Sequence, residues 1–364
     1  MRVNATRVLL VGISGLLIVT LGTAAGAAPR SAHASSPKYV FGINTFVSDN
    51  CQPQSLIDQW ATTQVSQFKA LGANAIGIAF PLYTNSLTSN NVYAKTVCSY
   101  QSVFQSPTPD VLASIVTIAH NAGLEVALRP LVDERLLRLK TPTAWRGILA
   151  PKNPNAWFRS YLRALRPYLL MAQANNVQFF SISTELNSLA HSKIWPGTIS
   201  SSRKIYKGSL QFTYSWSTSI TKKWQGGTSN AVDAYPKIKN AKSNESVAVL
   251  LSQWNHLLKT QSIYKIPNIK AVTIDEVGIT AQNGEYQNPS VAGLSFKTHP
   301  FNQTIQGHWF TAACDFMKQH QMRGIFYWGP WLGIDSGLLP ATPDPELATD
   351  IQPAGQLAIE KCFA

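Results

Sequence analysis

The chain has 364 residues, of which 13% are charged and 45% hydrophobic, with a formal net charge of +13. Its basic residues are scattered, with no arginine-rich arm and no finger-type cysteine or histidine spacing, so a nucleic-acid partner is not expected and the charge reads as general adsorption. The apolar content and the length suit a large buried core and exclude a disordered polyelectrolyte.

At the N-terminus, Arg2 and Arg7 precede an apolar stretch from Val8 to Leu21 and the small-residue segment TAAGAAP. That order is the pattern of a secretory signal peptide over residues 1–28, with a retained anchor as the alternative. Residues 29–38, including the run RSAHASSPK, read as a disordered lead-in. Residues 39–364 form the folded domain, expected to be secreted, free of the membrane after cleavage, and monomeric. The four cysteines show no CxxC spacing. In an exported chain an even count favours disulfides, and of the three pairings Cys51–Cys98 with Cys314–Cys362 is favoured.

From Tyr39 onward the hydrophobic period alternates. A strand over Tyr39–Thr45 precedes a helix over Ile57–Leu71, and a strand over Asn74–Phe80 precedes a helix opened by Pro109. Leu124–Val132 is a third strand, Asn155–Ala174 a helix and Val177–Ser183 a fourth strand. Ser209–Ser215 follows as a fifth strand, with a short or irregular helix after it, and Asn230–Tyr235 as a sixth. A helix over Glu245–Lys259, a strand over Ile269–Asp275, a helix over Thr304–Gln319 and a strand over Arg323–Trp328 complete the series. Eight such units predict a single-domain α/β fold, a closed (β/α)8 TIM barrel. An open doubly wound sheet is the alternative. The turn after its first strand would carry a Gly-rich phosphate loop, whereas FVSDNCQPQ stands here, and no nucleotide cofactor is expected. No HExxH or histidine triplet suggests a metal, and no GxSxG suggests a serine esterase.

In a barrel, chemistry belongs at the C-terminal ends of the strands. There the sequence sets Asn44, Tyr83, Arg129, Glu185, Asn187, Trp216, Asp233, Tyr235, Glu276, Trp328 and Trp331. Glu185 follows the fourth strand and Glu276 the seventh, on opposite sides of the mouth. Two such carboxylates can flank one sugar ring. About 5–5.5 Å between them suits double displacement and about 6.5–9.5 Å suits inversion. Asp275 is expected to face the other way and to be structural; Asp133 and Glu134 are expected in salt bridges or at the surface. Arg129 needs an acidic partner, and orienting a catalytic glutamate would supply one. Trp328 and Trp331 would offer flat faces to a pyranose, core packing being the alternative.

The segments ALGANAIGIAF, LEVALRPLV, the triplet Trp145–Arg146–Gly147, WFRSY, STELN, VDAYP and IDEVGI resemble glycoside hydrolase family 113 in order and spacing from about Tyr39 to Trp331. The resemblance implies a retaining barrel glycosidase that cleaves β-1,4-mannan or glucomannan and needs no cofactor. It implies Glu185 as acid/base and Glu276 as nucleophile, with Trp145, Arg146, Asp233, Tyr235 and Trp328 in the cleft. Another glycan specificity, or a non-catalytic carbohydrate-binding barrel, is the alternative.

Overall fold

The computed structural model describes residues 39–48, 51–98, 104–216, 227–260, 268–290, 295, 297–333 and 338–364. The expected signal peptide, the lead-in and the helix expected after the fifth strand lie outside them. Eight parallel strands pair in chain order: β1 (Val40–Phe46), β2 (Ala75–Leu82), β3 (Glu125–Val132), β4 (Phe179–Thr184), β5 (Ser209–Ser215), β6 (Ser229–Asp233), β7 (Val272–Val277) and β8 (Gly324–Trp331). β8 returns to β1 in parallel register, Val40 opposite Gly324 and Asn44 opposite Trp328, and closes the barrel.

Helices α1 (Gln54–Ala70), α2 (Pro109–Asn121), the short α3 (Arg135–Arg138), α4 (Pro154–Ala174), α5 (Trp195–Ile205), α6 (Val247–Thr260), α7 (Thr304–Gln319) and α8 (Pro353–Phe363) lie between or after the strands. Their starts are written in the sequence. Thr108 accepts a hydrogen bond from the Val111 amide and Asn153 one from Ala156, each followed by proline at the first helical position. α5 and α8 go beyond the sequence expectation; α5 begins Trp195–Pro196–Gly197, which is weak helix chemistry, and burial of Trp195 and Ile199 holds it. β7 also differs. Ile269–Ala271 form a 3-10 turn after a left-handed Asn268, so the strand starts at Val272 and Glu276 lies inside it rather than after it.

Between sheet and helices, one continuous apolar cluster runs around the barrel, from Ile43 and Phe68 through Leu112, Leu165 and Ile274 to Phe316. Inside the barrel the composition changes by level. Val40, Ala75, Ala127, Phe179 and Phe326 plug the bottom. Gly42 makes room for this plug, since a Cβ there would lie 2.1 Å from the Phe326 ring. The middle is polar, with Ser181, Gln211, Thr213, Asp275, Asn44 and Arg129 all buried. The C-terminal mouth carries Phe46 and Leu131, with Trp328 and Trp331 against them.

Both disulfides form as expected. Cys51–Cys98 ties the loop after β1 to the long loop after β2, and Cys314–Cys362 ties α7 to α8.

Candidate active site

Glu185 directly follows β4 in an unusual backbone state, with φ of 53°. For an L-residue the left-handed region costs roughly 1–2 kcal/mol. Its amide donates to the Thr213 carbonyl at 3.0 Å and its carbonyl accepts from Asn187 at 2.8 Å, so the chain turns sharply here. The turn delivers the carboxylate to Arg146, whose Nη1 donates to Oε2 at 2.7 Å. Arg146 also meets Glu134 Oε2 at 2.8 Å through Nη2, and its Nε donates to the Val132 carbonyl at 3.2 Å. Glu134, expected in a salt bridge or at the surface, is in a salt bridge and shares Arg146 with Glu185. The signal available for it was its place directly after the third strand.

Glu276 is held from the other side. Tyr235 donates its hydroxyl to Oε1 at 2.6 Å, and Arg129 Nη2 lies 3.1 Å from Oε2. The same Arg129 nitrogen donates to Asp233 Oδ1 at 2.8 Å. Arg129 Nη1 and Asn44 Nδ2 (2.8 Å) both donate to the Asp275 carbonyl, fixing the peptide that leads into Glu276. The Asp275 side chain turns away as expected, accepting from Thr213 at 2.8 Å. Gly77 lies under the Asn44 amide, where a Cβ would be 1.8 Å from Oδ1.

Two arginine clamps therefore serve two glutamates, and their surroundings differ. Burial pushes the Glu185 carboxyl up to about 7; Arg146 opposes the shift, and the negative charges of Glu276 and Glu134 add to it. Burial likewise raises Asp233 well above the usual carboxylate range, against Arg129. The Tyr235 hydroxyl is raised well above its ordinary value by burial and by Glu276, which keeps it a donor. Arg129 is 1% exposed; burial disfavours its charge, but Asp233 and Glu276 more than reverse this.

Of the residues expected at the site, Glu185, Glu276, Arg129, Arg146, Asp233 and Tyr235 join in these contacts. Asn44 and Arg129 are buried, and act as supports for Glu276 rather than as surfaces for a ligand. Asn187 donates to Ser215 at 2.7 Å, while its buried Oδ1 has no hydrogen-bond partner among the described residues. Trp145 lies partly exposed over Gly147, and Trp328 and Trp331 line the mouth. Two expectations fail. Tyr83 is completely buried, its hydroxyl donating to the Gln105 carbonyl at 3.1 Å, because the loop after β2 folds back over it. Trp216 is 3% exposed and packs against Trp254 and Phe316, so its ring belongs to the core outside the barrel. Among the described residues, no group of three or more His, Cys, Asp or Glu side chains could hold a metal ion.

A closed eight-stranded barrel whose fourth and seventh strands present glutamates at one mouth defines the class of barrel glycoside hydrolases. Comparison with family models makes this particular: the chain belongs to Glycoside Hydrolase Family 113, whose model matches residues 48–333. A search of curated proteins finds no match. Among solved structures, a GH113 β-1,4-mannanase in complex is similar with a TM-score of 0.68 and 15% identity, over 89% of this chain and 98% of that one. A GH113 β-mannanase from Alicyclobacillus acidocaldarius in complex with ManMIm gives 0.65 and 18%, over 89% and 98%. A hyperthermophilic endo-β-1,4-glucanase shares the fold more distantly, at 0.51 and 12%, over 88% and 97%.

Proposed function

We propose that this glycoside hydrolase is a retaining endo-β-mannanase acting on β-1,4-mannan or glucomannan outside the cell. The observation that carries the mechanism is the unequal treatment of the two glutamates. Glu185, with its carboxyl near 7, can hold a proton at neutral pH and give it to the leaving glycosidic oxygen. Glu276, aligned by Tyr235 and Arg129, attacks the anomeric carbon as the bond to that oxygen breaks. Glu185, now deprotonated, takes a proton from water, whose oxygen then displaces Glu276 and releases the sugar with its original anomeric configuration.

Mannan is supported by family membership and by the mannanases among the similar structures. Export is supported by the leader pattern at residues 1–28 and by two disulfides, which persist in oxidising compartments. The test is proton NMR of the first products released from mannan, glucomannan and cellulose-type glucan. Mannan cleavage with an initial β-anomer is expected; an initial α-anomer would rule out retention, and cleavage of glucan alone would rule out mannan.

A further inference from the structure

Between Glu134 and Asp233 the sequence places fourteen Lys and Arg residues and a single acid, Glu185, which is paired with Arg146 at the barrel mouth. The outer wall built from this stretch therefore has no acids of its own to neutralise it. Three of its cations form a stripe on α4. Arg159, Arg163 and Arg166 stand at i, i+4 and i+7 and are all exposed. Among the described residues none of the three has an ion-pair partner. The helical rise spaces them about 6 Å and about 4.5 Å apart along the axis.

Beside that stripe a pocket of about 390 Å3 opens between α4 and residues 91–96, lined by Tyr93, Pro109, Ala164, Pro167 and Tyr168, with Arg163 also on its wall. The walls are tied to one another. The Val92 amide donates to Ser160 Oγ of α4 at 2.9 Å, and the Ser160 hydroxyl lies 2.7 Å from Asn91 Oδ1. Tyr168 donates its hydroxyl to the Pro107 carbonyl at 2.8 Å, and Tyr93 donates to Asn85 at 2.7 Å. Pro167 sits inside α4 and has no N–H to give to the Arg163 carbonyl four residues back, so that turn keeps an acceptor whose helical donor is missing. The pocket thus combines an apolar lining, a backbone acceptor and a guanidinium, on the outside of the barrel rather than at its mouth.

We propose that this face of α4 is a second carbohydrate site, separate from the catalytic mouth, for a polysaccharide of uronic acid residues. One ring sits in the pocket with its C–H face on the apolar lining and its carboxylate on Arg163, and Arg159 and Arg166 meet the carboxylates of neighbouring rings. Two other polyanions fit less well. Binding a nucleic-acid strand calls for a row of exposed rings to stack its bases, and here Tyr93 alone is half-buried while Tyr168 is sealed. An anionic membrane calls for apolar side chains that project into it, whereas these line a hollow. The site would hold the protein on an acidic polysaccharide matrix while leaving the mouth free.

The experiment is calorimetric titration of the whole protein with polygalacturonate oligomers and with the same oligomers fully methyl-esterified. Binding of the free acid and not of the ester is expected. Arg163→Ala should weaken it about tenfold, as for loss of a charge-assisted hydrogen bond. Ala164→Trp fills the pocket without changing charge, and should weaken it by about the same factor in a protein whose melting temperature is unchanged. Equal binding of acid and ester, or unchanged affinity in either variant, overturns the site, the last by leaving charge adsorption only. Tighter binding of single-stranded DNA or of phosphatidylserine vesicles in the same buffer also overturns it. Turnover of mannan by Arg163→Ala should stay within about twofold of the wild type; a tenfold fall would place the residue in the catalytic machinery and overturn the separate site. If the wild-type protein cleaves no mannan while the affinity differences persist, this site stands and the function proposal falls.

Discussion

The two sides of the barrel wall obey different rules. Outside, between strands and helices, burial is almost wholly apolar, with Phe68, Leu112, Leu165 and Phe316 sealed from solvent. Inside, at the level just below the mouth, Arg129, Asp233 and Asp275 are buried to a similar degree, and each needs a partner to offset its desolvation. The outer layer stabilises the fold and tolerates any well-packed solution. The inner layer contributes little stability for its burial, and what it provides is position: Arg129 reaches Glu276 and, with Asn44, the peptide before it, while Asp233 holds Arg129 and Thr213 holds the Asp275 side chain.

That contrast can be broken most sharply at its end point. Glu276→Ala should lower turnover of mannan by at least about 10⁴-fold, while thermal melting stays near that of the wild type, because the side chain is 15% exposed and fills no core space. Full activity would remove Glu276 from its role.

One level down, function and stability should fall together. Arg129→Met leaves Asp233 buried beside an apolar chain, and about 3–5 kcal/mol of stability should be lost in denaturant unfolding, with turnover falling in the folded protein as well. A stable, fully active variant would mean that the inner network is dispensable.

On the outer side the two properties should separate. Phe316→Ala empties a space between Trp216 and Trp254 and should cost about 3–5 kcal/mol, yet kcat of the folded fraction should stay unchanged. A fall in kcat matching the fall in stability would show that the layers are coupled.

The smallest effect concerns pH. With Glu185 up to about 7, the protonated acid is lost as pH rises through that value, so kcat/KM should fall above about pH 7. The Glu134 charge raises that carboxyl, so Glu134→Gln should move the alkaline limb to lower pH; a limb that stays put would exclude Glu134 from tuning it. The groups facing Glu185 are Arg146, Glu276 and Glu134, and Arg138 pairs with Glu134 at 3.3 Å.

Much of the outer layer was legible in the chain, since alternation of period locates it without knowledge of the fold. β5 and α7 match their expected limits, and the proline-opened starts of α2 and α4 do so within one residue. The misses are at elements held by tertiary contact: α5 lacks a cap, and β7 starts late because a left-handed Asn268 and a 3-10 turn intervene. At the site, the acid after the fourth strand and the acid near the seventh were readable from position alone. Tyr83 and Trp216 were misplaced because position at a strand end does not say which way a ring turns, and their neighbours offered each a buried apolar berth.

By itself the sequence determined the number and order of the units, an even cysteine count that favours disulfides and the residue types available to the mouth, because periodicity, capping and cysteine count are local properties. The pairing Cys51–Cys98 with Cys314–Cys362 was favoured there and fixed by the structure. Only the tertiary structure decided which arginine serves which glutamate and that Glu134 stands behind Glu185. It alone gave Glu185 a left-handed backbone and a raised carboxyl. Those depend on side chains brought together from strands far apart in the chain and on how much water their meeting excludes, and both are set only when the barrel closes.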